Sequence, residues 1–165
     1  MGEVRVAVRV RPFLPKEVLH NHQLCVRVVP DTVILGSDRT FSFDYAFGPT
    51  ARHAQVYKSC VKPLVASLVD GYNATVFAYG QTGSGKTYTL GGGHVAYLPE
   101  EESGIIGRVA ADLFVLLGER AADARAAVDV RVDLLDIQTG NKELHIREDD
   151  RGNTGNTTHS VLGCV

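Results

Sequence analysis

Alternating apolar and polar positions predict β-strands at three places near the start of the chain. Residues 4–11 carry valine at every second position, and the alternation ends at Pro12, which does not continue a sheet. Two short apolar runs, 26–29 and 32–35, flank Pro30-Asp31 and predict a hairpin. Residues 40–45 alternate again and predict one further strand.

Two later segments carry apolar residues at helical spacing. Between Ala54 and Val69 apolar side chains recur every fourth position, which predicts a helix, and Pro63 should kink or interrupt it. Gly71 is expected to end this helix. Residues 105–119 predict a second amphipathic helix.

The last third of the chain carries weaker signals. Strands are predicted at 128–132 and at 144–147, the second as a short edge strand. From residue 152 the chain is small and polar, so residues 154–165 are expected to be a divergent, poorly ordered tail. This places a predicted domain boundary after residue 153.

An apolar segment leads directly into a glycine-rich loop. Residues 74–79 contain β-branched and aromatic side chains and predict a buried parallel strand. Residues 86–90 supply about one turn of helix before three glycines. The eight residues that follow the strand match G-x-x-x-x-G-K-[S/T] at every fixed position: Gly80, Gln81, Thr82, Gly83, Ser84, Gly85, Lys86 and Thr87. Strand, loop and helix in this order predict a P-loop.

The residue types of this loop suit a nucleoside phosphate held with Mg²⁺. Glycines permit backbone conformations in which successive N–H groups point at phosphate oxygens. The Lys86 ammonium would reach the β- and γ-phosphates, and the Thr87 hydroxyl would ligate Mg²⁺. We therefore expect a nucleoside phosphate and Mg²⁺ as ligands of the loop, on an α/β layered fold.

Composition and charge argue against several other classes of protein. A formal net charge of −2 gives no general attraction to nucleic acid or to a membrane, so neither is expected as a partner. No apolar run is long enough to span a bilayer, and the N-terminus lacks a signal-peptide core. Three widely spaced cysteines fit a reduced intracellular protein. The six histidines show no metal-ligand spacing and are interpreted as surface residues.

Several segments, taken together, resemble the N-terminal half of a kinesin motor domain. In chain order they are Val8-Arg9-Val10-Arg11-Pro12, residues 41–48, residues 71–89 and Gly104-Ile105-Ile106. The stretch 71–89 is highly specific, because ordinary P-loop proteins do not share the approach Tyr79-Gly80-Gln81. The resemblance covers residues 3 to about 153 and is greatest for the kinesin-4 class, the Costal-2-like ciliary branch in particular. It implies a P-loop NTPase with a central mixed sheet flanked by helices, and with ATP or ADP and Mg²⁺ as cofactors.

The resemblance also implies contacts with the adenine base. Arg9, Arg11 and Pro12 match positions that pack around the adenine, and Tyr88 matches the aromatic position on the other side of the base. Cationic and apolar faces suit stacking on a π-system. In kinesins a long loop interrupts the helix after the P-loop, which fits the glycine-rich and polar segment from residue 91 to 103.

The second half of the family pattern is missing from this sequence. It contains neither N-x-x-S-S-R-S-H nor D-L-A-G-S-E, the switch motifs that in kinesins close around the γ-phosphate and sense it. The main microtubule-binding surface of the family follows the second motif. The chain therefore resembles a truncated motor, and no catalytic residue is assigned. Residues 75–79 are expected to lack sheet partners on both sides, leaving a marginally stable chain.

Three hypotheses about function follow. The first is an ATP-binding kinesin-like protein, whose family role is ATP hydrolysis that drives or regulates microtubule-based movement in the cytoplasm, on the cytoskeleton or in the cilium. The second is a non-catalytic nucleotide-binding or scaffold protein, which the missing switch motifs favour. The third is a P-loop phosphotransferase, which would need convergent arginines, and no motif surrounds Arg120, Arg125 or Arg131.

Overall fold

The computed structural model describes residues 4–91, 103–123 and 157–164. Four strands within these ranges form one sheet: β1 (Val4–Arg9), β5 (Tyr45–Phe47), β6 (Asn73–Tyr79) and β7 (Thr157–Cys164). Their order across the sheet is β5-β1-β7-β6, and each neighbouring pair is parallel. Strands alternating with helices around a parallel sheet confirm the α/β expectation.

β1 separates two clusters of buried side chains. Its Ala7 packs with helical residues in the larger cluster, which includes Val56, Val61 and Leu113. Val8, the next residue along, packs in the smaller cluster with Val33. Because successive side chains of a strand point to opposite faces, the alternation at 4–11 places one strand between the helices and a second sheet.

The second sheet contains the predicted hairpin. Strands β2 (Val26–Val29), β3 (Thr32–Leu35) and β4 (Arg39–Ser42) pair antiparallel in that order. The turn between β2 and β3 places Asp31 at φ 54°, a left-handed conformation that aspartate tolerates. The hairpin prediction is confirmed.

The single strand predicted at 40–45 is wrong, because the chain changes sheets within it. β4 ends at Ser42, and β5 begins at Tyr45 in the other sheet. At the change the Phe43 N–H donates to the Asp31 carbonyl at 2.9 Å. The Asp44 carboxylate accepts from the Val6 N–H at 2.7 Å, and the Asp44 N–H donates to the Val6 carbonyl at 3.0 Å. These bonds attach the chain to β1 and redirect it.

The helical segment from residue 54 to 69 is interrupted, as its proline predicts. It comprises α2 (His53–Val56), a π-helical turn (Tyr57–Val61) and α3 (Lys62–Val69), with Pro63 in the first turn of α3. Proline lacks the N–H that a continuous α-helix would need there, and the wider turn precedes it. Gly71, at φ 91°, follows the end of α3 as expected.

Three more helices complete the described elements. α4 (Lys86–Leu90) is the predicted short helix, and α5 (Ile105–Asp123) is the predicted amphipathic helix, four residues longer than expected. α1 (Pro15–Leu19) was not predicted. None of the helices in the described ranges is long and apolar enough to cross a membrane.

β7 overturns two expectations about the end of the chain. Residues expected to be a poorly ordered tail form a strand between β1 and β6, and its threonine and valine residues favour extended backbone. The strand before the P-loop therefore has a partner along one edge, so the expectation that it lacks both partners is wrong. The boundary after residue 153 stays a prediction, and the strands predicted at 128–132 and 144–147 lie outside the described residues.

β6 is parallel, as predicted, but it is not buried. Exposed and half-buried residues alternate along it, and Phe77 and Tyr79 are 39% and 63% exposed. Val76 on the other face packs against the larger cluster. Among the described strands β6 lies at the edge of the sheet, and the face that carries Phe77 and Tyr79 is exposed.

Candidate nucleotide-binding site

The glycine-rich loop joins β6 to α4. It begins at Gly80, directly after Tyr79, and α4 begins at Lys86. Gly83 and Gly85 have φ values of 83° and 99°, which side-chain-bearing residues rarely adopt. A Cβ at either glycine would meet no atom within 4 Å, so the backbone conformation, not lack of space, requires glycine here. The predicted strand–loop–helix arrangement is confirmed.

Lys86 folds back over the start of the loop. Its Nζ donates to the Gly80 carbonyl at 2.7 Å and to the Gln81 carbonyl at 2.9 Å. Both acceptors are neutral, whereas an anionic phosphate oxygen forms stronger hydrogen bonds with an ammonium group. A phosphate at this loop would therefore compete well for the same N–H donors.

Ser84 lies under the loop with an unsatisfied hydroxyl. The residue is 3% exposed, and its buried Oγ has no hydrogen-bond partner within the described part of the chain. An unpaired buried polar group costs about 1–3 kcal/mol, so this hydroxyl lowers the stability of the loop as described. Because its Oγ has almost no accessible surface, a ligand would reach it only after a local rearrangement.

Thr87 is exposed at the start of α4, and its hydroxyl is the candidate Mg²⁺ ligand. The described ranges contain no cluster of three or more His, Cys, Asp or Glu residues that could hold a metal ion. A cation at this loop would therefore depend on the threonine hydroxyl together with oxygens from the nucleotide or water.

Arg9 is buried at the end of β1, at 8% exposure. Its Nη1 donates to the Thr89 hydroxyl at 3.1 Å, and its Nη2 donates to the Ala51 carbonyl at 2.9 Å. The guanidinium carbon lies 5.4 Å from the centre of the Tyr88 ring, within cation–π range. Arg9 and Tyr88, both predicted to contact the base, are therefore neighbours.

His53 supports Tyr88 from the other direction, and the sequence analysis missed it. Its Nε2 donates to the Tyr88 carbonyl at 2.8 Å, and the two ring centres are 4.4 Å apart. His53 is 4% exposed, so the interpretation of all six histidines as surface residues is wrong. No local pattern marks this residue, because its partner lies 35 positions away in the sequence.

Arg11 connects the N-terminal segment to the loop. Its Nε donates to the Gly83 carbonyl at 2.9 Å, and its Nη1 donates to the Pro12 carbonyl at 3.0 Å. Nη1 and Nη2 also reach the two carboxylate oxygens of Glu17 at 2.8 and 2.7 Å. The pKa of Glu17 is lowered to about 2. The largest cause is the hydrogen bonding from Arg11, and the second is the hydrogen bond from the Leu14 N–H. The sequence analysis did not single out Glu17.

The structure thus brings both predicted arginines to the P-loop region. Arg9 contacts α4 through Thr89, and Arg11 contacts the loop itself at Gly83. The ring of Tyr88 is 65% exposed, and Pro12 is exposed as well, so both retain open surface. By contrast Arg120, considered for a phosphotransferase site, is ion-paired with Asp70 at 2.5 Å. Arg125 and Arg131 lie outside the described residues.

Curated relatives match nearly the whole chain. Kinesin-like protein KIF27 of Mus musculus is 54% identical over an alignment of 162 residues, which covers 92% of this chain and 12% of that protein. Kinesin-like protein kif7 of Danio rerio is 46% identical over an alignment of 160 residues, which covers 91% of this chain and 12% of the relative. The chain thus spans only about an eighth of the length of these relatives. These matches support the predicted resemblance to the Costal-2-like branch.

Solved structures of the Drosophila kinesin family member NOD share the fold. The crystal structure of NOD with divalent manganese and ADP gives a TM-score of 0.65 at 32% identity, covering 75% of this chain and 41% of NOD. NOD docked with bovine tubulin into an 11-Å cryo-EM map of the nucleotide-free microtubule complex gives 0.67 at 31% identity, covering 77% and 42%. The predicted kinesin-like P-loop NTPase fold is confirmed. Because residues 9–159 match the kinesin motor domain family, this chain belongs to that family.

Proposed function

We propose that this chain binds ATP or ADP with Mg²⁺ at the loop Gly80–Thr87. One observation carries the proposal: among the described residues, the hydrogen-bond partners of the Lys86 ammonium are two neutral backbone carbonyls of the loop. A phosphate group would give the ammonium an anionic partner, which favours the bound state.

In this proposal the loop divides the phosphate contacts among its residues. Lys86 provides the positive charge, and the backbone N–H groups of Gln81, Thr82, Gly83 and Gly85 provide further donors. The exposed Thr87 hydroxyl coordinates Mg²⁺. When bound, Mg²⁺ supplies positive charge to the phosphate oxygens. The presence of ADP and manganese in the NOD crystal supports this type of ligand.

The adenine contacts belong to the same proposal. Tyr88 offers an exposed ring whose orientation is supported by His53 and Arg9. Pro12 and the planar face of Arg11 are proposed to contact the base from the other side. Stacking uses the face of a guanidinium and hydrogen bonding uses its edge, so the contacts of Arg11 with Glu17 and Gly83 are compatible with this role.

For the whole protein we propose ATP hydrolysis that drives or regulates microtubule-based movement. Family membership supports this role, and NOD, which shares the fold, forms a complex with the microtubule. Tubulin is therefore the proposed partner, and the cytoplasm, its microtubule cytoskeleton and the cilium are the proposed locations. A non-catalytic nucleotide-binding or scaffold role is the second candidate, because nucleotide binding by a P-loop does not by itself bring about hydrolysis.

Titration with a fluorescent ADP analogue tests nucleotide binding. Lys86→Ala is expected to weaken binding at least about tenfold, because it removes the charged donor to phosphate. Lys58→Ala is the matched control, since it removes an exposed lysine from the π-helical turn. Thr87→Ala should reduce the dependence of the dissociation constant on Mg²⁺.

Equal binding by the native chain and Lys86→Ala would refute specific use of the loop. If Lys86→Ala does weaken binding, microtubule-stimulated ATPase activity separates the motor role from the non-catalytic role. Turnover that Lys86→Ala abolishes supports the motor role, whereas Mg²⁺-dependent binding without turnover supports the non-catalytic one.

A further inference from the structure

Most N–H donors of the Arg11 guanidinium have hydrogen-bond acceptors, and these belong to the P-loop, to Pro12 and to Glu17. A guanidinium carries five N–H donors, and four of those of Arg11 have partners. One is the Gly83 carbonyl, one is the Pro12 carbonyl, and two are the carboxylate oxygens of Glu17. The orientation of the side chain is therefore fixed by Glu17 on one side and by the P-loop on the other.

Glu17 is itself held in place by the start of α1. Its Oε2 accepts from the Leu14 N–H at 2.7 Å, three residues earlier, which is the reciprocal contact of a helix N-terminus. The side chains of Arg11 and Glu17 are 26% and 17% exposed. A two-pronged pair anchored at both ends keeps its geometry better than a mobile surface ion pair.

The contact with Gly83 fixes a peptide unit in the middle of the P-loop. The carbonyl of Gly83 and the N–H of Ser84 belong to one planar peptide and point in opposite directions. Gly83 has φ 83°, and as a glycine it could also adopt the alternative peptide orientation. The bond from Arg11 Nε selects the orientation in which this carbonyl faces Arg11. The Ser84 N–H of the same peptide donates to the Gln81 carbonyl at 3.2 Å, so the reverse orientation would break this turn within the loop.

We propose that Glu17 is a positioning residue for the nucleotide site: through Arg11 it holds the peptide between Gly83 and Ser84 in the orientation that keeps the turn from Gln81 to Ser84 of the P-loop closed. Glu17 needs no contact with the nucleotide to act in this way. The inference rests on the proposed nucleotide binding and deepens it, by assigning the shape of the loop to a carboxylate three positions into α1.

Backbone NMR signals of the nucleotide-free chain test the first part of the inference. Glu17→Ala should shift the amide signals of Gly83, Ser84 and Gly85. Asp70→Asn is the matched control, because it removes the carboxylate of a second arginine pair, with Arg120 on α5. That variant should leave the three signals in place. Unmoved signals in Glu17→Ala would overturn the proposal without any use of nucleotide.

Affinity for Mg²⁺-ADP tests the second part. Glu17→Ala should raise the dissociation constant about tenfold, the lower end of the loss that is typical when a group that orients a ligand residue is removed. Glu17→Gln should lose less, because its amide oxygen still accepts from Arg11. Added to Arg11→Ala, the Glu17→Ala change should have no further effect, since Glu17 acts only through Arg11.

The outcomes separate this inference from the proposed function. If Lys86→Ala weakens binding while Glu17→Ala binds as tightly as the native chain, the positioning role fails and nucleotide binding stands. If Glu17→Ala weakens binding by the same factor in the Arg11→Ala background, the route through Arg11 is wrong. If the native chain and Lys86→Ala bind equally, the proposed function fails, and the positioning role fails with it.

Discussion

Burial gives individual side chains properties that their residue type alone does not indicate. Cys60 lies in the larger cluster at 7% exposure, and burial, which penalises the charged thiolate, raises the pKa of its thiol to about 12. Cys25 is exposed. Because the thiolate is the nucleophile, Cys60 should stay unreactive at every pH well below 12.

Alkylation of the native chain checks this difference between the two cysteines. Iodoacetamide at pH 7.5 is expected to modify Cys25 and to leave Cys60 unmodified, as measured by peptide mass spectrometry. In denaturant both should be modified, which controls for peptide detection. Modification of the two at similar rates in buffer would contradict the packing of the π-helical turn against the sheet.

The candidate site was predictable only where its residues are consecutive in the sequence. The loop from Gly80 to Thr87 has a fixed spacing, so its residues and their order could be recognised directly. Glu17 and His53 could not be recognised, because their roles depend on contacts with Arg11 and Tyr88 that only the folded chain creates. Neither contact follows a helical or strand period.

Between elements, a close backbone approach joins the end of α4 to the start of α5. A Cβ placed on Gly104 would overlap the Cα of Gly91, and a Cβ placed on Gly91 would lie 2.9 Å from the Cα of Gly104. Gly91 also has φ 82°, in the left-handed conformation that ends α4. The two glycines therefore bring together the ends of the helices that flank residues 92–102.

A pair of glycine substitutions tests this contact. Gly104→Ala should lower the free energy of unfolding by about 2–3 kcal/mol or more, because backbone atoms must move apart. Gly118→Ala is the control within α5, where a Cβ would meet nothing within 4 Å, and it should raise stability by about 0.5–1 kcal/mol. Chemical denaturation monitored by circular dichroism measures both. A neutral Gly104→Ala would contradict the close approach.

The elements themselves were predicted where one pattern continued without interruption. The hairpin, α4 and α5 follow their turn residues and apolar spacing closely. The strand predicted at 40–45 failed because a strand pattern does not indicate which sheet each half joins, and Asp44 attaches to β1 through long-range bonds. α1 was missed because five residues are too few to show a helical period.

For the whole molecule, β7 is the strand that makes the four-stranded sheet continuous. It pairs with all six residues of β1 along one edge and with all seven residues of β6 along the other. Without it, β1 with β5 and the strand before the P-loop would be separate in the described structure. β7 was not predicted, because it follows a small, polar segment and its own eight residues show no regular apolar alternation.

Proline at position 161 tests whether β7 holds the sheet together. Val161 is in register with Val6 on β1 and with Phe77 on β6. Proline has no N–H to donate and is not accommodated in the interior of a sheet, so Val161→Pro should detach the strand. Hydrogen exchange at the amides of β6 should then accelerate strongly, and unfolding should lose cooperativity.

Val161→Ala is the matched control, because it keeps the backbone N–H at the same position and should leave exchange in β6 slow. Native-like protection of β6 in Val161→Pro would mean that the P-loop strand is held by other residues. Fast exchange of the β6 amides in the native chain as well would support the original expectation that the P-loop strand is unpaired. If β6 is protected from exchange in the native chain and in Val161→Ala but not in Val161→Pro, β7 is what holds the P-loop strand. The stability of the nucleotide loop would then depend on its attachment, through β7, to the strand that carries Arg9.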